Sequence, residues 1–189
     1  RKQFRMQAAM GGPGAQNMGE IFEPIDEFPS QGAGPAEVED YLERKLEKNL
    51  SKEEKQIANL KHDSIGARIS LAAATFFQTG SAALKVDSLK TLDSIATILK
   101  ESNNRLIIEG HTDDLPIQNG HYPSNWELGS ARATKIVRYL IERHRFNPKQ
   151  LIALTYADQR PLVPNSSEQN RAKNRRIEIL IVTDEKLKL

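Results

Sequence analysis

From residue 35 onward the apolar positions keep changing their period, and each change marks a new element. Val38, Tyr41, Leu42 and Leu46 recur at helical spacing among alternating Glu, Arg and Lys, which predicts a charged helix with a narrow apolar stripe. Ser51-Lys52-Glu53-Glu54 reads as a capping box, with Ile57 and Leu60 following on one face. A second short helix, or a break in a long one, is therefore predicted to run to about Lys61. So narrow a stripe buries little by itself. It either packs on the domain that follows or pairs with a second copy of the same helix.

Ile65, Ala67, Ile69 and Leu71 then alternate with polar neighbours, the pattern of a half-buried strand. A loop through Phe76, Phe77 and Gly80-Ser81 leads to Leu89, Leu92, Ile95, Ala96 and Leu99, which fall in register for an amphipathic helix. Ser102-Asn103-Asn104 breaks it, and Arg105 to Glu109 reads as a second strand. Ser124 and Glu127 form another capping box, opening a helix whose stripe is Ala133, Ile136, Val137, Leu140 and Ile141 and which fades by Phe146-Asn147-Pro148. Leu151 to Tyr156 is a third strand. After a polar segment with Pro161, Pro164 and Asn165, alternating Ile177, Ile179 and Ile181 give a β-branched fourth.

Helices alternating with strands imply crossover connections, so the fold class is α/β, an α+β sandwich. The expected architecture is a mixed β-sheet with helices packed on one face, the direction of the last strand being open after so long a connection. Four segments follow: a flexible Gly/Pro-rich linker at 1–35, a charged helical segment at 36–62, the folded domain at 63–184, and a tail at 185–189. In the linker, Phe22, Ile25 and Phe28 either dock on a surface or are simply solvated.

Composition narrows the partners. A net charge of +2 and aromatics at 6% supply neither the basic face nor the stacking surface that nucleic acid needs. With no cysteine in this sequence, disulfides and thiolate chemistry within it are excluded, and a lipidated N-terminal Cys is not expected. No apolar run approaches the roughly 18 residues that span a bilayer. Arg1 in place of a start Met predicts a fragment or processed product, which leaves room for an upstream membrane segment or signal.

Candidate chemistry gathers in Gly110 to Ala133, where a strand ends in a polar loop and feeds a helix, an arrangement that holds a loop rigidly. Arg132 lies at the boundary of the helix's apolar face, where its stem can pack while its guanidinium reaches an anion. Asp113 is the natural partner. Either the two form an ion pair holding loop to helix, or they face a shared cleft that binds a ligand of both signs, with Asp113 taking an ammonium and Arg132 a carboxylate. Asn174-Arg175-Arg176 precedes the last strand, so one arginine can face the packed side and the other water; solvated edge charges are the plain alternative. Metal ligation by His111, Asp113, Asp114 and His121 lacks an obvious third ligand position. Asp113 and Asp114, as sequence neighbours, are poorly placed for acid and base on opposite sides of a bond.

The stretch from about Phe77 to Val182 resembles the OmpA-like peptidoglycan-binding domain. The resemblance rests on Gly80-Ser81-Ala82 before a helix, Ile108-Glu109-Gly110-His111-Thr112-Asp113, Asn125-x-x-Leu128, Arg132-Ala133, and Asn174-Arg175-Arg176. Gly-His-Thr-Asp-Asp followed by Ser-Asn-Trp-Glu-Leu is similar to the flagellar stator subunits of the MotB type and their sodium-driven relatives. Two positions depart: Gly129 stands where a serine is usual, and Thr155 where a glycine is common. A glycine inside the helix costs about 1 kcal/mol.

The resemblance implies non-covalent binding of the diaminopimelate-containing stem peptide of peptidoglycan, with Thr112, Asp113, Asn125, Arg132 and Arg175 at the binding positions. It implies no catalytic residues, no metal and no cofactor. It further implies a homodimer, a channel-forming partner subunit of the MotA type, and a wall-facing periplasmic domain. That domain would hang from an inner-membrane helix upstream of this chain, in a motor that couples ion transport to motility and chemotaxis. The rival expectations are another OmpA-like envelope anchor outside the motor and, more distantly, a metal-dependent cell-wall hydrolase.

Overall fold

Pro35 pre-sets the backbone of the first turn, and a helix runs Pro35–Asn49 (α1). The computed structural model describes residues 27–30, 32–55, 58–117 and 120–184, so most of the 1–35 linker, with Phe22 and Ile25, and the 185–189 tail lie outside the described residues. Val38, Tyr41, Leu42 and Leu46 are all buried in the main core, joined by Leu50 just past the helix. Packing within the chain, rather than pairing with a second copy, therefore covers this stripe. Phe28 sets its ring edge-on to Tyr41 at 4.9 Å between centroids, so this one linker aromatic is docked.

The Ser51 capping box forms reciprocally: the Ser51 N–H donates to Glu54 Oε2 at 2.8 Å and the Glu54 N–H to Ser51 Oγ at 3.2 Å. The helix it opens is only Lys52–Lys55 (α2). Instead of continuing to Lys61, the chain forms a strand at Ala58–His62 (β1), antiparallel to Gly66–Ala72 (β2). The expected helix is corrected by the sheet: an open edge on β2 offers ladder partners, and that outweighs a helical period resting on two apolar residues.

The remaining elements are a short turn of helix at Ala73–Phe76 (α3), then Leu89–Lys100 (α4), Leu106–His111 (β3), Asn125–His144 (α5), Leu151–Ala157 (β4), Glu168–Asn174 (α6) and Arg176–Val182 (β5). The sheet order is β1-β2-β5-β3-β4. Only β3 and β4 are parallel, joined by the α5 crossover; β5 enters between β2 and β3, antiparallel to both. The sheet is mixed, as expected, and the segment read as a polar connection holds α6.

Alternation sorts the two faces. Ala67, Ile69, Leu71, Leu106, Ile108, Ile177, Ile179 and Ile181 meet the buried stripes of α1, α4 and α5 in one core. The opposite face carries a smaller apolar cluster of Ile107, Leu180 and Val182 beside a buried charge network. There Arg68 Nη1 lies 2.9 Å from Glu109 Oε1 and 3.3 Å from Glu178 Oε2, while Lys61 Nζ and Arg176 Nε each reach Glu178 Oε1 at 2.8 Å. Burial alone would raise the Glu178 carboxyl, but hydrogen bonds from Lys61 and Arg176 bring it down to about 2.

Candidate binding site

The five residues singled out in the sequence come together at one end of the sheet, where β3 runs out, α5 begins and β5 enters. Ser124 caps α5, its Oγ accepting the Trp126 N–H at 3.1 Å and meeting Glu127 Oε2 at 2.5 Å. Asn125, at the first helical position, braces the loop: its Nδ2 donates to the carbonyls of Asp113 at 3.2 Å and Leu115 at 2.9 Å. Thr112 is held by its N–H on the Ala157 carbonyl at 2.9 Å, and its hydroxyl donates to the Asp113 carbonyl at 2.9 Å.

The charges are arranged differently from the simplest expectation. Asp113, buried, pairs with Arg175 at 2.5 Å through Oδ2, while its Oδ1 accepts the Leu115 N–H at 3.2 Å. Arg175 also holds Glu168 in the first turn of α6. Burial alone would lower the Arg175 guanidinium, but the hydrogen bonds to Glu168 and Asp113 raise it. The anticipated Asp113–Arg132 ion pair is absent among the described residues, because β5 brings a nearer cation to Asp113.

Arg132 is only 5% exposed. Its Nε donates to the Ser81 carbonyl at 2.9 Å, and its guanidinium carbon lies 5.4 Å from the centre of the Phe77 ring. No carboxylate pairs with it among the described residues. Burial pushes the guanidinium down to about 10; Tyr122 and Asp113 act against that shift and Arg175 adds to it. At neutral pH it remains a buried cation without a paired carboxylate among the described residues, a costly arrangement that an incoming anion would relieve.

Each residue of the Asn174-Arg175-Arg176 run has a separate task, and neither arginine is a loose edge charge. Asn174 is fully buried, its Oδ1 accepting the N–H groups of Leu162 and Val163 at 2.8 and 3.1 Å, which shapes the connection after β4. Arg175 turns to the site, and Arg176 enters the network on the helix-free face. Sequence reasoning missed Glu168, Ser81, Phe77 and Tyr122. Ser167, whose Oγ accepts the Asn170 N–H at 3.2 Å and so caps α6, was the one local signal that could have placed Glu168 in a first turn.

Two residues of the metal reading, Asp114 and His111, are held apart. Asp114 is exposed and pairs with Arg171 at 3.0 Å, whereas His111 lies on the other face of the sheet, stacked on Tyr156 at 5.6 Å. There His111 groups with Glu109 and Glu178, with one ligand atom of each lying within 4.8 Å of the others. Lys61, Arg68 and Arg176 already occupy those carboxylates, so a divalent ion would enter against positive charge. Burial pushes the His111 imidazole down, and its Nδ1 has no hydrogen-bond partner among the described residues.

Fold and site together form a rigid sheet end that carries a buried cation with no carboxylate partner among the described residues, beside a carboxylate braced by a second cation. The chain belongs to the OmpA family, whose match covers residues 76–175. Among curated relatives, the protein YtxE of Bacillus subtilis is 37% identical over 121 residues, 64% of this chain and 50% of that one. Motility protein B of Bacillus subtilis is 32% identical over 149 residues, 78% of this chain and 54% of the relative. A peptidoglycan-associated lipoprotein of Pseudomonas putida is 35% identical over 118 residues, 61% of this chain and 68% of the lipoprotein. This chain thus spans about half the length of the first two relatives.

Among solved structures, the periplasmic domain of Helicobacter pylori MotB (residues 78-256) superposes with a TM-score of 0.64 at 30% identity, covering 69% of this chain and 84% of that one. The cell wall anchor of the type VI secretion system (T6SS) from Pseudomonas aeruginosa gives 0.68 at 26%, covering 76% and 97%.

Proposed function

We propose that this chain binds peptidoglycan non-covalently through the stem peptide and anchors a flagellar stator complex to the wall. The observation that carries the reading is Arg132, a buried guanidinium with no anionic partner among the described residues, next to a carboxylate whose own charge is matched by Arg175. The side-chain end of diaminopimelate offers a carboxylate and an ammonium on one carbon. Arg132 takes the carboxylate, Asp113 the ammonium, and Arg175 holds Asp113 in orientation. Thr112 and Asn125 fix the loop from which Asp113 projects. The names of the relatives support wall binding, and those called Motility protein B support the stator setting.

On this reading the domain faces the periplasm, works as a homodimer, and is tethered to the inner membrane by a helix outside this chain, beside a MotA-type subunit. It binds and does not cleave. The segment 36–62 then sets how far the domain reaches toward the wall. A wall anchor outside the motor, like the peptidoglycan-associated lipoproteins, is the second reading, favoured by the similarity to that group. The gene sequence upstream of Arg1 separates the two: one transmembrane span with an intramembrane Asp belongs to a stator, a signal peptide to the rival.

Sedimentation with purified peptidoglycan tests the site. Removing one member of a desolvated charge set costs on the order of 2–5 kcal/mol, so Arg132→Ala and Asp113→Asn are each expected to abolish retention with native circular dichroism. Wild-type retention by either variant would remove that residue from the site. Loss of folding would instead assign the charges to scaffolding.

A further inference from the structure

We propose that Thr155 is the positioning residue of this site: its hydroxyl, lodged where α5 crosses the end of β3, sets the spacing between Asp113 and Arg132. Along the parallel β3–β4 pair, Gly110 lies opposite Thr155 but His111 lies opposite Ala157, so Tyr156 is passed over in a bulge. Ala157 adopts φ 47°, a left-handed conformation that residues with a Cβ rarely take without support. Thr155 Oγ1 supplies that support. It accepts the Ala157 N–H at 3.0 Å and donates to the Gly110 carbonyl at 2.8 Å. In this conformation the Ala157 carbonyl receives the Thr112 N–H at 2.9 Å, immediately before Asp113.

The same hydroxyl also touches the helix. A Cβ placed on Gly129 would stand 2.2 Å from Thr155 Oγ1, and one placed on Gly110 would stand 2.1 Å from the Gly129 carbonyl oxygen. Helix and strand thus meet backbone to backbone, with Thr155 filling the remaining space. Gly129 lies one turn after Asn125 and one turn before Arg132, so this contact sets the height of both above the loop. The Thr155 hydroxyl bonds the Gly110 carbonyl and the Ala157 N–H, neither of them a group proposed to bind ligand. It acts through Ala157 on one side and Gly129 on the other.

The inference rests on the proposal that the cleft holds peptidoglycan, and sedimentation on purified peptidoglycan with wild type, Thr155→Ser and Thr155→Val tests it. Serine keeps the hydroxyl and is expected to bind within about twofold of wild type. Valine keeps the shape but strands the Gly110 carbonyl and the Ala157 N–H, and is expected to weaken retention about tenfold or more with native circular dichroism. Valine binding as well as wild type, or serine as poorly as valine, overturns the proposal. Should Thr155→Val not fold, Gly129→Ala decides. It strengthens the helix intrinsically but drives a methyl against Thr155, so loss of retention reads spacing and wild-type retention refutes it. If wild type itself is not retained, the peptidoglycan reading fails separately. The positioning role is then read from the Thr112 and Asp113 amide resonances, which shift in the valine variant and not in the serine one; unmoved resonances in both refute it.

Discussion

Arg132 and Asp113 are both charged and both buried, yet only Asp113 has an ionic partner within the described chain. The sequence placed both residues where the loop meets the helix, because loop and helix positions follow from spacing. It did not reveal the pairing, since that depends on where β5 enters the sheet. Gly129 and Thr155, far apart in sequence and each a departure from the family pattern, are one feature in space: the glycine makes room for the threonine hydroxyl. A helix-propensity argument counts only the cost of Gly129. The charge network behind the sheet was equally hidden, although its pH behaviour follows from its chemistry. His111 is depressed from its usual 6.5, so the unfolded chain takes up that proton first and stability declines as pH falls below about 6.5. Glu178 titrates at about 2 in the fold against a usual 4.5, so a further decline is expected between those values. Thermal melts from pH 7 to pH 2 should show both declines. His111→Phe should remove the first and Glu178→Gln flatten the second; unchanged slopes would mean other groups carry the acid sensitivity.

At the level of elements, long periodic segments were legible and short ones were not. The stripes of α1, α4 and α5 are buried largely as their spacing predicts, because three or more turns average out local exceptions. β1 and α6 escaped because five and seven residues carry too little pattern, and their stability comes from a sheet edge and a cap rather than from period. The docking of α1 makes a quantitative expectation possible. Leu42 is fully buried beside Tyr41, so Leu42→Ala should destabilise the domain by about 2–5 kcal/mol in urea denaturation. A change under about 0.5 kcal/mol, the scale of surface substitutions, would show that α1 contributes little to the fold.

For the whole molecule, topology decides how the site connects to the rest of the chain. Ala58 lies opposite Leu71, Ala72 opposite Arg176, and Arg176 opposite His111. The chain therefore enters the sheet at the same end that carries the site, three strands across from it. That arrangement has a mechanical consequence. On the proposed reading, once α1 has left the core, tension between the segment before β1 and a ligand bound at Arg132 runs across the strands, so it opens the β1–β2 ladder one bond at a time from Ala58 instead of shearing all its bonds together. An optical-trap pull in that geometry should give a first step of roughly 90 Å as residues 35–62 come away, at about 3.4 Å per residue, before the proposed ligand is released. A single rupture at high force would show that load reaches the site before the edge gives way. If the chain is the wall anchor proposed above, it lengthens under strain before it lets go.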